Sequence, residues 1–75
     1  MITLLNVKTN EVDYTLYSNS HPNIGETLII RDGDESKCYK ITNVVNEYFI
    51  DSIKIEDINI TLYCYPVIMK WVIYY

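Results

Sequence analysis

The sequence predicts an all-β protein, folded as one small antiparallel barrel or meander sheet of five to seven strands. Ile, Val, Tyr, Thr, Phe and Trp, which suit a pleated and half-buried surface, make up 34 of the 75 residues. Alanine, the strongest helix former, is absent. Short alternating segments are separated by turn residues, as in small sandwiches and barrels. A chain of this length has room for a single domain, residues 1–75.

Residues 2–8 and 12–18 are predicted to form the first two strands. Asn10 lies between them and tolerates a positive φ, so it can turn a tight hairpin. A polar interval around Pro22 and Gly25 then predicts the longest loop of the chain. The second strand alternates clearly, which predicts that three of its side chains are in the core: Val12, Tyr14 and Leu16.

The middle of the chain predicts a second hairpin. Residues 26–31 form a strand with Leu28 and Ile30 on one face. The Asp-Gly pair that follows, at positions 32 and 33, supplies the positive-φ residues that tight hairpins favour. The next strand starts at position 37 and is expected to turn Tyr39 and Ile41 inward.

The segment 43–57 is the hardest part of the sequence to interpret. A continuous alternation would place Asn43 on the core face, so we expect a bulge or a strand bend there. Alternation at positions 53–56 favours a strand. Asp51 could instead cap one short helical turn within 51–57.

The end of the chain is strongly apolar. Regular alternation from Ile58 predicts a central strand that ends or bends at Pro66. Residues 67–75 are apolar on both faces if extended, and such a strand needs cover on both sides. We therefore predict that they close the sheet and contribute to a homodimer contact. The outward side chains of that contact would be Ile68, Lys70, Val72 and Tyr74.

The formal net charge of −4 argues against direct binding to nucleic acid, which needs cations along the phosphates. All ten acidic residues lie between Glu11 and Asp57. They form either a solvated surface or an acidic face that imitates nucleic acid and occupies the basic groove of a protein partner, such as a nucleic-acid-binding effector. The candidate contacts are Asp32, Asp34 and Glu35.

The expected location is the cytoplasm of a bacterial host, without membrane contact. The start of the chain lacks the features of a signal peptide, and the apolar end is too short and too interrupted to span a bilayer. Ile, Asn, Lys and Tyr, whose codons are AT-rich, make up 32 of the 75 residues, which suggests a low-GC genome such as those of many bacteria and phages.

The sequence predicts a protein that is not an enzyme and holds no cofactor or metal. His21 is the only histidine and lies in a loop, with no orienting group evident for a nucleophile–base pair. Cys38 and Cys64 lack CxxC neighbours, which argues against a structural zinc site. They alternate onto opposite faces, so two free thiols are expected.

Three tyrosines project from the side opposite the predicted core: Tyr17, Tyr63 and Tyr65. They are either ordinary strand residues or anchors of an interface. A protein interface is favoured over base stacking, because platforms that stack the bases of a nucleic-acid strand come with a basic groove. A small nucleotide held between two subunits would need fewer cations. The candidates that could supply them are Arg31, Lys37 and Lys40.

The segments HPNIGETLII, YKITNVV and ITLYCYPV resemble small SH3-like barrel proteins of bacteria and phages. Pro22, Gly25 and Glu26 match that pattern as markers of a loop that opens a strand, and the similarity covers about residues 22–66. The resemblance implies a small curled barrel and carries over no binding residue. In size and charge the chain also resembles phage-encoded inhibitors of bacterial defence, including anti-CRISPR proteins and signal-nucleotide sponges.

The expected function is therefore that of a phage-type inhibitor, which binds and blocks a protein of a bacterial defence system. Two alternatives remain open at this point. One is a dimer that sequesters a small nucleotide signal, and the other is a structural or accessory interaction module.

Overall fold

A computed structural model describes the backbone of residues 1–18, 20–51 and 54–68, and their side chains except at 54–56. All regular structure in these ranges is β-strand, which confirms the predicted fold class. The five strands are β1 (Ile2–Asn6), β2 (Glu11–Leu16), β3 (Thr27–Asp32), β4 (Glu35–Asp51) and β5 (Lys54–Val67).

The strands form one sheet in the order β2-β1-β5-β4-β3. Neighbouring strands are antiparallel except β1 and β5, which run parallel. The parallel pair arises because the chain leaves β2 at one edge of the sheet, enters β3 at the other edge and returns through two hairpins. The sheet is therefore mixed, whereas the sequence predicted antiparallel pairing throughout.

The sheet curls into a half-barrel in which side chains of β2 reach those of β4. The ring of Tyr14 on β2 meets the ring of Tyr39 on β4 edge to face, with 6.3 Å between centroids. Lys37 Nζ lies 5.4 Å from the centroid of the same Tyr14 ring. Because β2 and β3 are not neighbours in the sheet order, side chains rather than backbone hydrogen bonds bring the two sides of the curl together.

The concave face of the half-barrel holds the core. β5 is central, and its buried side chains are level with those of β1 on one side and β4 on the other. The buried cluster consists of Ile2, Leu4, Tyr39, Ile41, Leu62 and Cys64. The predicted inward residues of β3 and β4 are confirmed, since Leu28 and Ile30 pack against this cluster while Tyr39 and Ile41 belong to it.

A bulge in β2 overturns one predicted core position. Leu4 is level with Tyr14 whereas Leu5 is level with Val12, so Asp13 is an extra residue in β2. A bulge interrupts the alternation of side chains between the two faces. Val12 is consequently 54% exposed, and its predicted place in the core was wrong. Tyr14 packs against the core as predicted, as does Leu16.

The bulge predicted near Asn43 is confirmed. Ile41 is level with Cys64 and Asn43 with Tyr63, so Thr42 is the extra residue. The Thr42 hydroxyl donates a hydrogen bond to the Tyr63 carbonyl at 3.0 Å. The shift leaves Asn43 exposed and allows Val44 to pack against the core.

Two of the predicted hairpin turns are observed. Asn10 has a φ of 60° between β1 and β2. The β3–β4 turn is one residue later than predicted, because Asp32 pairs with Glu35 and the loop consists of Gly33 and Asp34. Gly33 has a φ of 60°, and a positive φ at the first loop position is compatible with the twist of a tight hairpin.

β4 spans the whole molecule. Its 17 residues, at about 3.3 Å each, reach about 53 Å, which matches the longest dimension of 52 Å. Where the sequence left open a helical turn in 51–57, the described residues belong instead to two paired strands, with Asp51 level with Lys54. Residues 52 and 53 lie outside the described ranges.

Pro66 lies inside β5, one residue before its end at Val67. The Cys64 carbonyl accepts a hydrogen bond from the Val7 amide at 2.8 Å, so the backbone groups of Cys64 point towards β1. Pro66, two residues later, faces the same side, where β1 has already ended at Asn6. Its missing N–H therefore removes no bond of the ladder.

Candidate protein-binding arm

The β4–β5 hairpin extends beyond the rest of the sheet as a two-stranded arm, residues 45–51 and 54–59. β3 pairs with β4 only as far as Lys40, and β1 pairs with β5 only from Ile60 onward. The arm is about 20 Å long at 3.4 Å per residue. A two-stranded hairpin is marginally stable in water by itself, so contact with another surface would stabilise it.

One face of the arm continues the apolar face of the core. Tyr48 is level with Ile58, four residue pairs beyond the pair of Val44 and Leu62, and so lies on the same face as that pair. Ile50, two residues further along β4, shares this face. We call Tyr48, Ile50 and Ile58 the apolar stripe; their side chains are 55%, 65% and 39% exposed.

The opposite face of the arm is also partly apolar. Val45 and Phe49 alternate with the stripe residues and are exposed. Every residue of β4 from 45 to 51 is exposed, in contrast to the buried segment around Tyr39. Monomeric proteins rarely expose a contiguous patch of large apolar side chains, and such patches commonly mark an interaction site.

Acidic side chains lie on the face of the arm opposite the apolar stripe, because their positions alternate with those of the stripe residues. Glu47, Asp51 and Asp57 are exposed on the arm. The sequence of 45–59 contains four acidic residues and one basic residue, Lys54, for a formal charge of −3. The arm therefore combines an apolar stripe on one face with a mixed acidic and apolar surface on the other.

The acidic residues predicted as contacts lie at the other end of the molecule. Asp32, Asp34 and Glu35 surround the β3–β4 turn and are exposed. β4 begins at this turn and ends at the tip of the arm, so the two acidic groups are about 40–50 Å apart. They form two poles and not one acidic face.

The three predicted interface tyrosines do not form one surface. Tyr63 and Tyr65 lie on the convex face of β5 and are half-buried. Lys8 Nζ is 5.6 Å from the centroid of the Tyr65 ring. Tyr17 follows the end of β2 and is 84% exposed. Measured along the strand direction, it lies about 13 Å from Tyr63.

The three candidate ligand cations also lie apart. Lys37 is on the concave face, where a hydrogen bond to the Tyr14 side chain raises its pKa. Arg31 and Lys40 are on the convex face, and the Arg31 guanidinium donates to the Ser36 hydroxyl at 3.1 Å. The strand positions of Arg31 and Lys40 differ by about four residues, or about 13 Å. Within one chain, the structure therefore brings no two of these cations together around one ligand.

The candidate contacts of the C-terminal segment fall mostly outside the described part of the chain. β5 ends at Val67, and Ile68 is 86% exposed beyond it. Lys70, Val72 and Tyr74 lie outside the described residues, as does most of the predicted strand 67–75. The homodimer contact through this segment stays a prediction.

His21 forms a hydrogen bond to its neighbour. Its Nδ1 donates to the Pro22 carbonyl at 2.9 Å. Among the residues whose side chains are described, 1–18, 20–51 and 57–68, no three His, Cys, Asp or Glu side chains lie close enough together to hold a metal ion.

Both cysteines are free, as predicted, and both are buried. The Cys64 thiol donates to the Leu5 carbonyl at 3.5 Å within the core. Burial raises the pKa of Cys64 to about 11 and also raises the pKa of Cys38. Burial likewise raises the pKa of Tyr39, and a hydrogen bond to Asp13 adds to the shift. The thiols are therefore protected from attack both sterically and by protonation.

We expect iodoacetamide at pH 8 to leave both cysteines of the folded protein unmodified. The same reaction time should suffice to modify both cysteines when the protein is unfolded in urea. The folded state excludes the reagent and keeps both thiols protonated, since their pKa values lie above those of free thiols. Intact-mass spectrometry would measure the mass added. Equal rates of alkylation in the presence and absence of urea would contradict this expectation.

The sequence did not predict that residues 45–59 form an exposed arm or that they contribute to binding. Alternation along a strand reports which face is apolar, but it does not report where the neighbouring strands end. The one available signal is the run of three large apolar residues at 48–50, which a strand with one solvated face would not carry. That run falls within the segment whose structure the sequence left open.

The described chain contains no helix long and apolar enough to cross a membrane. No protein-family model matches the sequence, and no curated protein or solved structure is significantly similar to it.

Proposed function

We propose that this protein is a phage-type inhibitor that docks its arm onto a protein of a bacterial defence system and blocks it. The observation that supports this proposal is the apolar stripe, which carries large exposed side chains beyond the body of the sheet. Aromatic side chains at the centre of a patch are the usual anchors of protein interfaces. Tyr48 supplies such an anchor on the stripe, and Phe49 supplies another on the opposite face, among the acidic residues.

The charge of the arm favours a target with a basic surface. A formal charge of −3 over 45–59 would steer the arm towards Lys- and Arg-rich grooves and away from nucleic acid itself. Proteins that bind nucleic acid present such grooves. Occupying the groove would exclude their own ligand, which is how a small acidic binding protein would inhibit a defence effector.

Sequestration of a nucleotide gains no support from the arrangement of the cations. Arg31, Lys37 and Lys40 are separated by face or by distance along the strands, so one phosphate group could not contact all three. The role of an accessory interaction module would use the same arm, and the identity of the captured partner distinguishes it from inhibition.

Replacing Tyr48 and Ile50 together by serine is expected to abolish selective capture of the target from a bacterial lysate. Loss of one interface anchor typically weakens binding by about 2 kcal/mol or more, which is about thirtyfold in Kd. Mass spectrometry of the retained proteins, followed by titration of the enriched target, would measure the loss. Val12→Ser is the matched control, because Val12 is similarly exposed at a distance from the arm.

A second variant addresses the other acidic pole. Reversing Asp32, Asp34 and Glu35 to lysine should leave capture by the arm largely intact, because that turn lies about 40–50 Å away along β4. Undiminished capture by the Tyr48/Ile50 variant, or loss of capture only in the turn variant, would show that the arm is not the docking surface.

A further inference from the structure

We infer that the arm binds by strand addition, in which an extended cationic segment of the partner pairs with the free edge of β4 at residues 44–50. The inference rests on the function proposed for the arm and adds a mode of binding and a partner chemistry. In this mode, hydrogen bonds between backbones supply affinity, and alternate side chains supply specificity.

The direction of the backbone groups in β4 follows from the hydrogen bonds at Ile41. Its N–H donates to the Glu26 carbonyl at 3.0 Å and its carbonyl accepts from the Gly25 amide at 2.9 Å, so both groups point away from β5. The bulge at Thr42 delays the alternation by one residue. The residues beyond it that turn their backbone groups to the outer edge are Val44, Asn46 and Tyr48.

Contacts at the opposite edge of the arm agree with this assignment. The Ile60 amide donates to the Met1 carbonyl at 3.0 Å, so Ile60 faces β1, and Asn46, which is level with it, faces away from β5. The terminal ammonium donates to the Ile58 carbonyl at 3.4 Å, which places Tyr48 outward by the same reasoning.

The two edges of the arm differ in how many of their backbone groups are already bonded. On β5, the Ile58 amide donates to the Asp57 carboxylate at 2.8 Å, and Met1 bonds to the groups beside it. On β4, the Val44 amide is covered by the Asn43 side chain at 2.9 Å. No described strand pairs with the outer edge of β4 at Asn46 or beyond. At the level of Asn46 and Tyr48, the β4 edge is therefore the open one.

Exposed apolar residues flank this open edge on both faces of the arm. Tyr48 and Ile50 lie on one face, while Val45 and Phe49 lie on the other. An added strand would place its alternate side chains beside these two pairs. An unprotected apolar edge of this kind is a ready template for pairing with another chain.

The negative charge of the arm indicates which kind of chain would pair with this edge. A second copy of the arm would bring Glu47 and the acidic residues near it against the same residues of the partner copy, and like charges on adjacent strands are destabilising. A segment in which Lys or Arg alternates with apolar residues would instead place its cations on the acidic face, beside Glu47, and its apolar side chains beside Tyr48 and Ile50. We therefore assign the edge to a cationic extended segment of the target protein.

Hydrogen exchange measured by NMR tests the pairing directly. The probe is a peptide of alternating lysine and valine, about ten residues long and so longer than the edge. On binding, the amides of Asn46 and Tyr48 should gain protection, whereas those of Val45 and Glu47 should change little because they already bond to β5. A peptide of the same composition with its lysines and valines in two blocks should bind more weakly, because it lacks the alternation.

A backbone variant provides the second measurement. Asn46→Pro removes the outward N–H at an edge position that tolerates proline, and Asn46→Ala retains that N–H. The alternating peptide should bind the proline variant about two- to tenfold more weakly, the value of one net hydrogen bond. If Asn46→Pro does not fold, the hydrogen-exchange measurement on the unmodified protein is the test of strand addition.

Equal binding of the two Asn46 variants, unchanged exchange at Asn46 and Tyr48, or failure of the alternating peptide to bind would overturn strand addition. The proposed function would survive that result if the Tyr48/Ile50 variant still lost its target. If the Tyr48/Ile50 variant kept its target, the proposed function itself would fall.

Discussion

Replacing Leu4 by alanine is expected to destabilise the protein by about 3–5 kcal/mol, the range for a large-to-small change in a closely packed core. Leu4 is fully buried and is level with Leu62 on one side and Tyr14 on the other. A domain of this length has a total stability of about 4–11 kcal/mol. The substitution would therefore remove a large fraction of that stability.

Leu5→Ala is the matched control. Leu5 is the next residue along β1, but it points to the convex face and is only half-buried. The same substitution there should cost about 1 kcal/mol, because less apolar area leaves water on folding. Urea denaturation followed by circular dichroism would give both free energies of unfolding. Similar losses for Leu4 and Leu5 would show that the concave face is not the principal core.

Removing the carboxylate of Asp13 is expected to cost about 2–4 kcal/mol, although the residue itself is exposed. Asp13 Oδ2 accepts hydrogen bonds from Asn6 Nδ2 at 3.0 Å and from the Tyr39 hydroxyl at 2.9 Å. Both donor residues are buried, with Asn6 6% and Tyr39 2% exposed. Asp13→Ala would leave both donors without this partner, and a buried unsatisfied polar group costs about 1–3 kcal/mol.

Asp13→Asn tests the contribution of the negative charge separately from that of the two hydrogen bonds. Asparagine keeps an oxygen at the same position and the same size, so it should lose only the strengthening that the negative charge gives to the two bonds. We expect the asparagine variant to lie between the unmodified protein and Asp13→Ala in thermal stability. Equal melting temperatures for the two variants would argue against a role for these bonds in holding the curl of the sheet.

These two predictions differ in how much of their basis is visible in the sequence. Leu4 is an apolar residue in a predicted strand, which favours burial, although the buried face of that strand was not predicted. Asp13 carried no such signal, because alternation alone places it on the outer face of β2. The bulge moves the side chain towards Asn6 and Tyr39, and a bulge depends on how β2 pairs with β1 rather than on β2 itself.

The same distinction applies to the candidate site. The sequence indicated a bulge near Asn43 and left 43–57 open, but it did not indicate that β4 and β5 continue past the ends of β1 and β3. The length of a strand relative to its neighbours depends on register between segments far apart in the chain. The predicted contacts Tyr17, Tyr63 and Tyr65 were chosen by face alone, and the structure separates Tyr17 from the other two.

Local chemistry by itself determined the β class, the hairpin turns at Asn10 and Gly33, the free thiols and most of the concave core, because alternation and positive-φ preference act over a few neighbouring residues. Only the tertiary structure decided the parallel pairing of β1 with β5, the inward position of the Asp13 carboxylate and the exposure of the arm. These features depend on pairing between segments up to about sixty residues apart, and no short sequence window contains both members of such a pair.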